Sequence, residues 1–108
     1  MVWAAVMVAL GVTPLFQMSD SEVDAYLAES RGRAFAERLA DVAERTVGTP
    51  YANGPLGEGP GAKYDPDPLV DFTRVDCVTF VEQSLALAAS ESREQAVDLL
   101  QKIRYRDG

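Results

Sequence analysis

The stretch Asp76-Cys77-Val78-Thr79-Phe80-Val81-Glu82-Gln83-Ser84-Leu85-Ala86-Leu87-Ala88 decides how this chain reads. Cys77, Phe80, Val81, Ser84, Leu85 and Ala88 recur at the three- and four-residue steps of one helical face, so the spacing predicts a core helix with Asp76 capping its start. Glu82 and Gln83 fall beyond the first turn and off that face, as solvent-facing or structural residues. A thiol in the first turn of a helix meets unpaired backbone amides and the positive end of the macrodipole. Both favour a thiolate, whereas the neighbouring carboxylate of Asp76 opposes it. By position alone the plainer reading of Cys77 is a small buried hydrophobe on the apolar stripe. The sequence has one cysteine and no histidine. That excludes an intramolecular disulfide and the common zinc sites, and it removes the usual general base from these residues.

Working outward, Thr49 to Val75 shows no periodicity, and Gly54, Pro55, Gly57, Gly59, Pro60, Gly61, Pro66 and Pro68 break any regular helix there. Loops of that length inside compact domains are uncommon and tend to carry function, which points to a site at the loop's ends. Upstream, Ser19 to Glu22 has the spacing of a capping box and predicts a helix through about Glu29. Phe35, Leu39, Val42, Ala43 and Val47 mark a second amphipathic helix, which Gly48 stops. Downstream, Ser92 to Gln95 repeats the box and launches a helix carrying Ala96, Val97, Leu99, Leu100 and Ile103. Arg104 and Arg106 read as a solvated edge. Asp107-Gly108 is a strong short hairpin signal with no second strand after it, so the 108 residues read as the amino-terminal part of a longer domain in which a sheet is about to begin.

Val2 to Val12, VWAAVMVALGV, is an uncharged apolar run with the length of a signal-peptide core, shorter than the roughly 20 residues of a membrane-spanning helix. No Lys or Arg precedes it and no clean small-x-small site follows it. Residues 1–18 are therefore expected to be a signal peptide or anchor and residues 19–108 the globular part of an exported protein with no stable membrane span. Apolar residues make up 47% and charged residues 25%, so an ordinary globular composition excludes disordered and collagen-like chains. With 17 acidic and 10 basic side chains the net charge is −7, which argues against a nucleic-acid partner. The loop glycines are interleaved with prolines and do not join a strand to a helix, so no nucleotide loop and no cofactor is expected.

Val75-Asp76-Cys77-Val78-Thr79-Phe80-Val81-Glu82 resembles the signature that opens the catalytic helix in the NlpC/P60 superfamily of cell-wall cysteine peptidases and amidases. Asp76 to Ala88, together with Ile103-Arg104-Tyr105-Arg106-Asp107-Gly108, resembles more closely the DUF1460 family, described as N-acetylmuramoyl-L-alanine amidase-like. Gly48-Thr49-Pro50-Tyr51 is similar to the Gly-x-Pro-Tyr element ahead of the cysteine in that superfamily. The resemblance implies an α+β, papain-like fold, mostly α in these residues, with the sheet beyond Gly108. It implies Cys77 as the acylated nucleophile and its own amide as an oxyanion donor. Tyr51 and Asp76 are implied as substrate-binding or oxyanion support, Asp76 chiefly as a helix cap. Family members carry their catalytic histidine on a strand after an Arg-Tyr-x-x-Gly turn, which here ends at Gly108. These residues alone are thus expected to be inactive. The implied substrate is peptidoglycan or a muropeptide, in the periplasm or cell envelope. The contrasting reading is a non-catalytic envelope binding or interaction module with Cys77 as a core residue.

Overall fold

The structure, a computed structural model, describes residues 12–106. A short 3-10 turn, Leu15–Gln17, precedes four helices: α1 (Asp20–Glu29), α2 (Phe35–Thr46), α3 (Cys77–Ala88) and α4 (Arg93–Arg104). Among the described residues there is no β-strand, and one isolated parallel bridge joins Tyr51 to Val75. This is the mostly helical architecture the sequence predicts. The hairpin expected at Asp107-Gly108 and most of the apolar run lie outside the described residues.

Local chemistry sets the helix starts. Ser19 Oγ accepts the Glu22 amide at 3.2 Å while the Ser19 amide donates to Glu22 Oε1 at 3.0 Å, a complete capping box. At α4 the box is displaced. Ser92 Oγ accepts the Gln95 amide at 3.1 Å, but the Gln95 side chain takes the amide of Glu91 at 2.8 Å, one residue further back. Gly48, at φ 93°, ends α2 in the left-handed region as expected.

Packing centres on α3, which lies against both α2 and α4, while α1 touches α4. One core cluster joins Leu15, Val23, Leu27, Val42, Leu87 and Ala96, with Tyr26 and Phe72 at its margin. A second joins Leu56, Ala86 and Leu100, so the long loop supplies a core residue. Residues 12–18, read from sequence as the end of the leader, are part of this unit. Pro14 is fully buried and Leu15 is 3% exposed. Tyr26 Oη donates to Asp41 Oδ2 at 2.5 Å, and the guanidinium of Arg45 stacks 4.4 Å from the same ring. Burial, and then the bond to Asp41, raise the phenol well above its ordinary range.

Two helical faces differ from the sequence prediction. On α2, Val42 is buried, yet Phe35 and Val47 are 48% and 41% exposed, and Arg38 and Thr46 are buried in their place. Arg38 Nη2 donates to the carbonyl of Ser90 just past the end of α3, and Thr46 Oγ1 donates back to the Val42 carbonyl at 3.0 Å. On α3, Thr79, Gln83, Ser84, Ala86, Leu87 and Ala88 are buried, while Cys77 is exposed and Val81 is 53% exposed. Gln83, expected off the core face, faces inward. The physical reason is the same on both helices: polar side chains with internal partners can be buried at little cost, and the partners of Arg38 and Gln83, the Ser90 carbonyl and the Asp71 amide, lie far away in sequence.

Among the described residues no helix is long and apolar enough to cross a membrane.

Candidate functional site

The site is assembled at the amino-terminal end of α3, where both ends of the long loop return. Val75 lies parallel to Tyr51: the Ala52 amide donates to the Val75 carbonyl at 3.0 Å, and the Val75 amide donates to the Pro50 carbonyl at 3.0 Å. The loop is therefore closed at its base by two backbone hydrogen bonds, and the Gly-Thr-Pro-Tyr segment runs beside the residues that lead into the cysteine.

Asp76 secures the next step. Its Oδ1 accepts the Thr79 amide at 2.8 Å, and Thr79 Oγ1 accepts the Asp76 amide at 2.9 Å, a capping box built with threonine. Its Oδ2 reaches across to accept the Gly54 amide at 3.0 Å. One carboxylate thus caps α3 and ties the loop's first turn to it. The Thr79 amide, and after it the Gly54 amide, hold the Asp76 carboxyl below the usual carboxylate range. Cys77 follows as the first helical residue, its thiol exposed and free. Tyr51 is 72% exposed, so its ring stands in solvent rather than packing on α3. Tyr51, Asp76 and Cys77 are accordingly brought to one end of one helix. The arrangement offers a solvent-accessible sulfur at a helix N-terminus, a first turn of backbone amides beside it, and an exposed phenol on the adjoining segment.

Further residues hold this geometry and were not identified from sequence as doing so. The Gln83 side-chain carbonyl accepts the Asp71 amide at 3.1 Å, anchoring the returning end of the loop to α3. The Asp71 carboxylate accepts the Thr73 amide at 2.8 Å, the Thr73 hydroxyl at 2.5 Å and Arg74 Nε at 3.0 Å. Burial pushes the Asp71 carboxyl up, but these bonds outweigh it and the net shift is downward. The Asp-Phe-Thr spacing at 71–73 is a local turn signal that sequence could have supplied. Arg104, read as part of a solvated edge, is instead largely buried: Nη1 bonds Glu82 Oε1 at 2.6 Å and Nη2 reaches the Leu56 carbonyl at 3.4 Å. It clamps α4, α3 and the loop together, while Arg106 is exposed as expected. Among the described residues no cluster of three or more metal-ligating side chains occurs.

A family model described as AmiA-like, N-acetylmuramoyl-L-alanine amidase-like, matches residues 41–108. The match takes in the Gly-x-Pro-Tyr segment, the long loop, α3 and α4. A crystal structure of a Legionella pneumophila protein of the DUF1460 family superimposes with a TM-score of 0.75 at 28% sequence identity, over 96% of this chain and 32% of that one. The chain therefore spans about a third of the length of that relative. No curated protein matches.

Proposed function

Since the chain belongs to the AmiA-like family, whose description is N-acetylmuramoyl-L-alanine amidase-like, we propose that it forms the nucleophile-bearing part of an exported cysteine amidase acting on peptidoglycan. The observation that carries the proposal is the exposed Cys77 at the start of α3, with the Tyr51 and Asp76 segments bonded together beside it. The bond proposed is the amide between N-acetylmuramic acid and L-alanine, the one named in the family's description.

The chemistry follows from the placement. The Cys77 sulfur, as thiolate, adds to the carbonyl carbon of the scissile amide, and the carbonyl electrons move onto oxygen. In this reading the Cys77 backbone amide, in the first turn of α3, donates to that oxyanion, with the exposed Tyr51 on the adjoining segment as a second group. Collapse of the intermediate expels the amine, which takes a proton from a general acid, and leaves an acyl thioester on Cys77. Water then adds to the thioester and releases the acid. The general acid and base are assigned to the part of the protein beyond these residues, since the 108 contain no histidine. These residues by themselves are accordingly inactive. Asp76 acts by positioning: it fixes the cap and the Gly54 turn.

The test is muropeptide cleavage by the full-length protein. Cys77→Ala should abolish turnover while the variant keeps its helical circular-dichroism signal. Cleavage surviving in that variant would falsify the nucleophile assignment and favour a non-catalytic envelope module.

A further inference from the structure

The segment that delivers the cysteine also carries a cation. Arg74 stands three residues before Cys77, so their Cα atoms lie at most about 11 Å apart. The peptide unit that Arg74 shares with Val75 is fixed, because the Val75 amide donates to the Pro50 carbonyl at 3.0 Å. Side chains alternate along extended backbone. Val75 turns inward beside Leu15, Phe72, Phe80 and Leu87, and Arg74 and Asp76 accordingly leave the segment on the other side.

The Arg74 side chain is 44% exposed and is held along one edge, where its Nε donates to Asp71 Oδ2 at 3.0 Å. Asp71 is itself a fixed anchor. Its Oδ1 accepts the Thr73 amide at 2.8 Å and the Thr73 hydroxyl at 2.5 Å, and its own amide donates to the Gln83 side chain on α3 at 3.1 Å. Among the described residues Nη1 and Nη2 of Arg74 make no hydrogen bond, so the end of the planar fork faces outward with its donors unused. A guanidinium already aligned on one edge loses little further freedom when the other edge meets a ligand.

Charge and reach define that ligand. Two parallel N–H donors in one plane fit a carboxylate. In the cleavage described above, the peptide on the amine side of the scissile bond advances about 3.3–3.6 Å per extended residue, which sets its second residue about 7 Å from the attacked carbonyl, within the span from Cys77 to Arg74. The net charge of −7 repels an acidic peptide, and Asp76 beside the thiol adds to the repulsion, so a placed cation is what lets such a peptide settle here. We propose that Arg74 is a specificity-determining residue that binds, through Nη1 and Nη2, a free carboxylate on the second residue of the stem peptide being released. This assignment rests on the amidase reading above. Asp71 and Gln83 serve it as positioning residues.

The experiment gives the full-length protein two substrates, N-acetylmuramoyl-L-alanyl-D-glutamic acid and its diamide, in which both carboxyls are carboxamides. The acid should be cleaved with a kcat/KM about fivefold to tenfold above that of the diamide, between the value of an exposed ion pair and that of a buried charge-assisted bond. In Arg74→Gln, which can still donate to Asp71, the two substrates should converge through a higher KM for the acid. A parent protein with no preference for the acid, a preference that survives Arg74→Gln, or an equal loss on both substrates overturns the assignment and leaves the amidase reading standing. Should the glutamine variant not fold, Arg74→Lys takes its place: it keeps the charge without the fork, so a reduced preference is expected and a parent-like one overturns the assignment. Failure of the parent protein to cleave either substrate, or cleavage that persists in Cys77→Ala, overturns the amidase reading and this assignment with it.

Discussion

Asp76 uses both carboxylate oxygens, one for the helix cap and one for the Gly54 amide, and its removal should be felt at both places. Asp76→Ala is expected to lower stability by about 1 kcal/mol from the cap, and to loosen residues 52–54, read as faster amide exchange at Gly54. Asp76→Asn, which keeps a capping oxygen, should lose less. The sign with pH follows from the lowered carboxyl. The unfolded chain takes up this proton at a higher pH than the native chain, so the contribution is complete above the ordinary carboxylate range and is lost as pH falls through the lowered value. Urea midpoints measured down an acid series should show Asp76→Asn approaching the parent protein at the acid end. Asp76 was legible as a cap because a cap is decided within three residues. Its reach to Gly54 was not, because that partner is 22 positions away.

At the scale of elements, the caps, the helix count and the Gly48 stop could be read from sequence, while two helical faces could not. Periodicity counts apolar side chains, and here α2 and α3 bury Arg38, Thr46, Thr79, Gln83 and Ser84. Arg38, Thr46, Thr79 and Gln83 are buried with bonds waiting for them: Arg38 meets the Ser90 carbonyl from 52 residues away, and Gln83 meets the Asp71 amide. Val81 is left outside as a consequence. Arg38→Ala should therefore cost about 1.5–3 kcal/mol, as a hydrogen bond to a charged group is lost, whereas Phe35→Ala, on the same helix but exposed, should cost far less; paired urea unfolding curves compare them. The loop has its own element-scale order. The amides of Gly57, Glu58 and Gly59 donate to the carbonyls of Pro68, Asp65 and Asp67 at 2.9, 2.8 and 2.8 Å. Gly59 adopts φ +100°, and a Cβ there would stand 3.2 Å from Leu69 Cγ. Gly59→Ala should cost about 1–2 kcal/mol from the backbone conformation alone, seen as a lower thermal midpoint.

For the molecule as a whole, the 3-10 turn before α1 binds four helices into one core, since Leu15 shares a cluster with side chains of α1, α2, α3 and α4. Leu15→Ala should lower stability by about 2–5 kcal/mol, a penalty of the size expected for a central residue rather than for a terminal segment, and a denaturant midpoint reads it directly. The site also takes its form from molecule-scale closure. Tyr51 and Cys77 are 26 positions apart by number, yet the Tyr51–Val75 bridge and the Asp76–Gly54 bond set them on one edge. Chain entropy rises only slowly with loop length, by about 0.6 kcal/mol for each doubling. With its two ends pinned and Leu56 held in the core, the largely exposed tip from Pro60 to Tyr64 can be lengthened or rewritten at modest cost and without shifting the sulfur. The neck is thereby uncoupled from the tip, and a lineage is free to try new tips, and with them new wall chemistries, on an unchanged reactive centre.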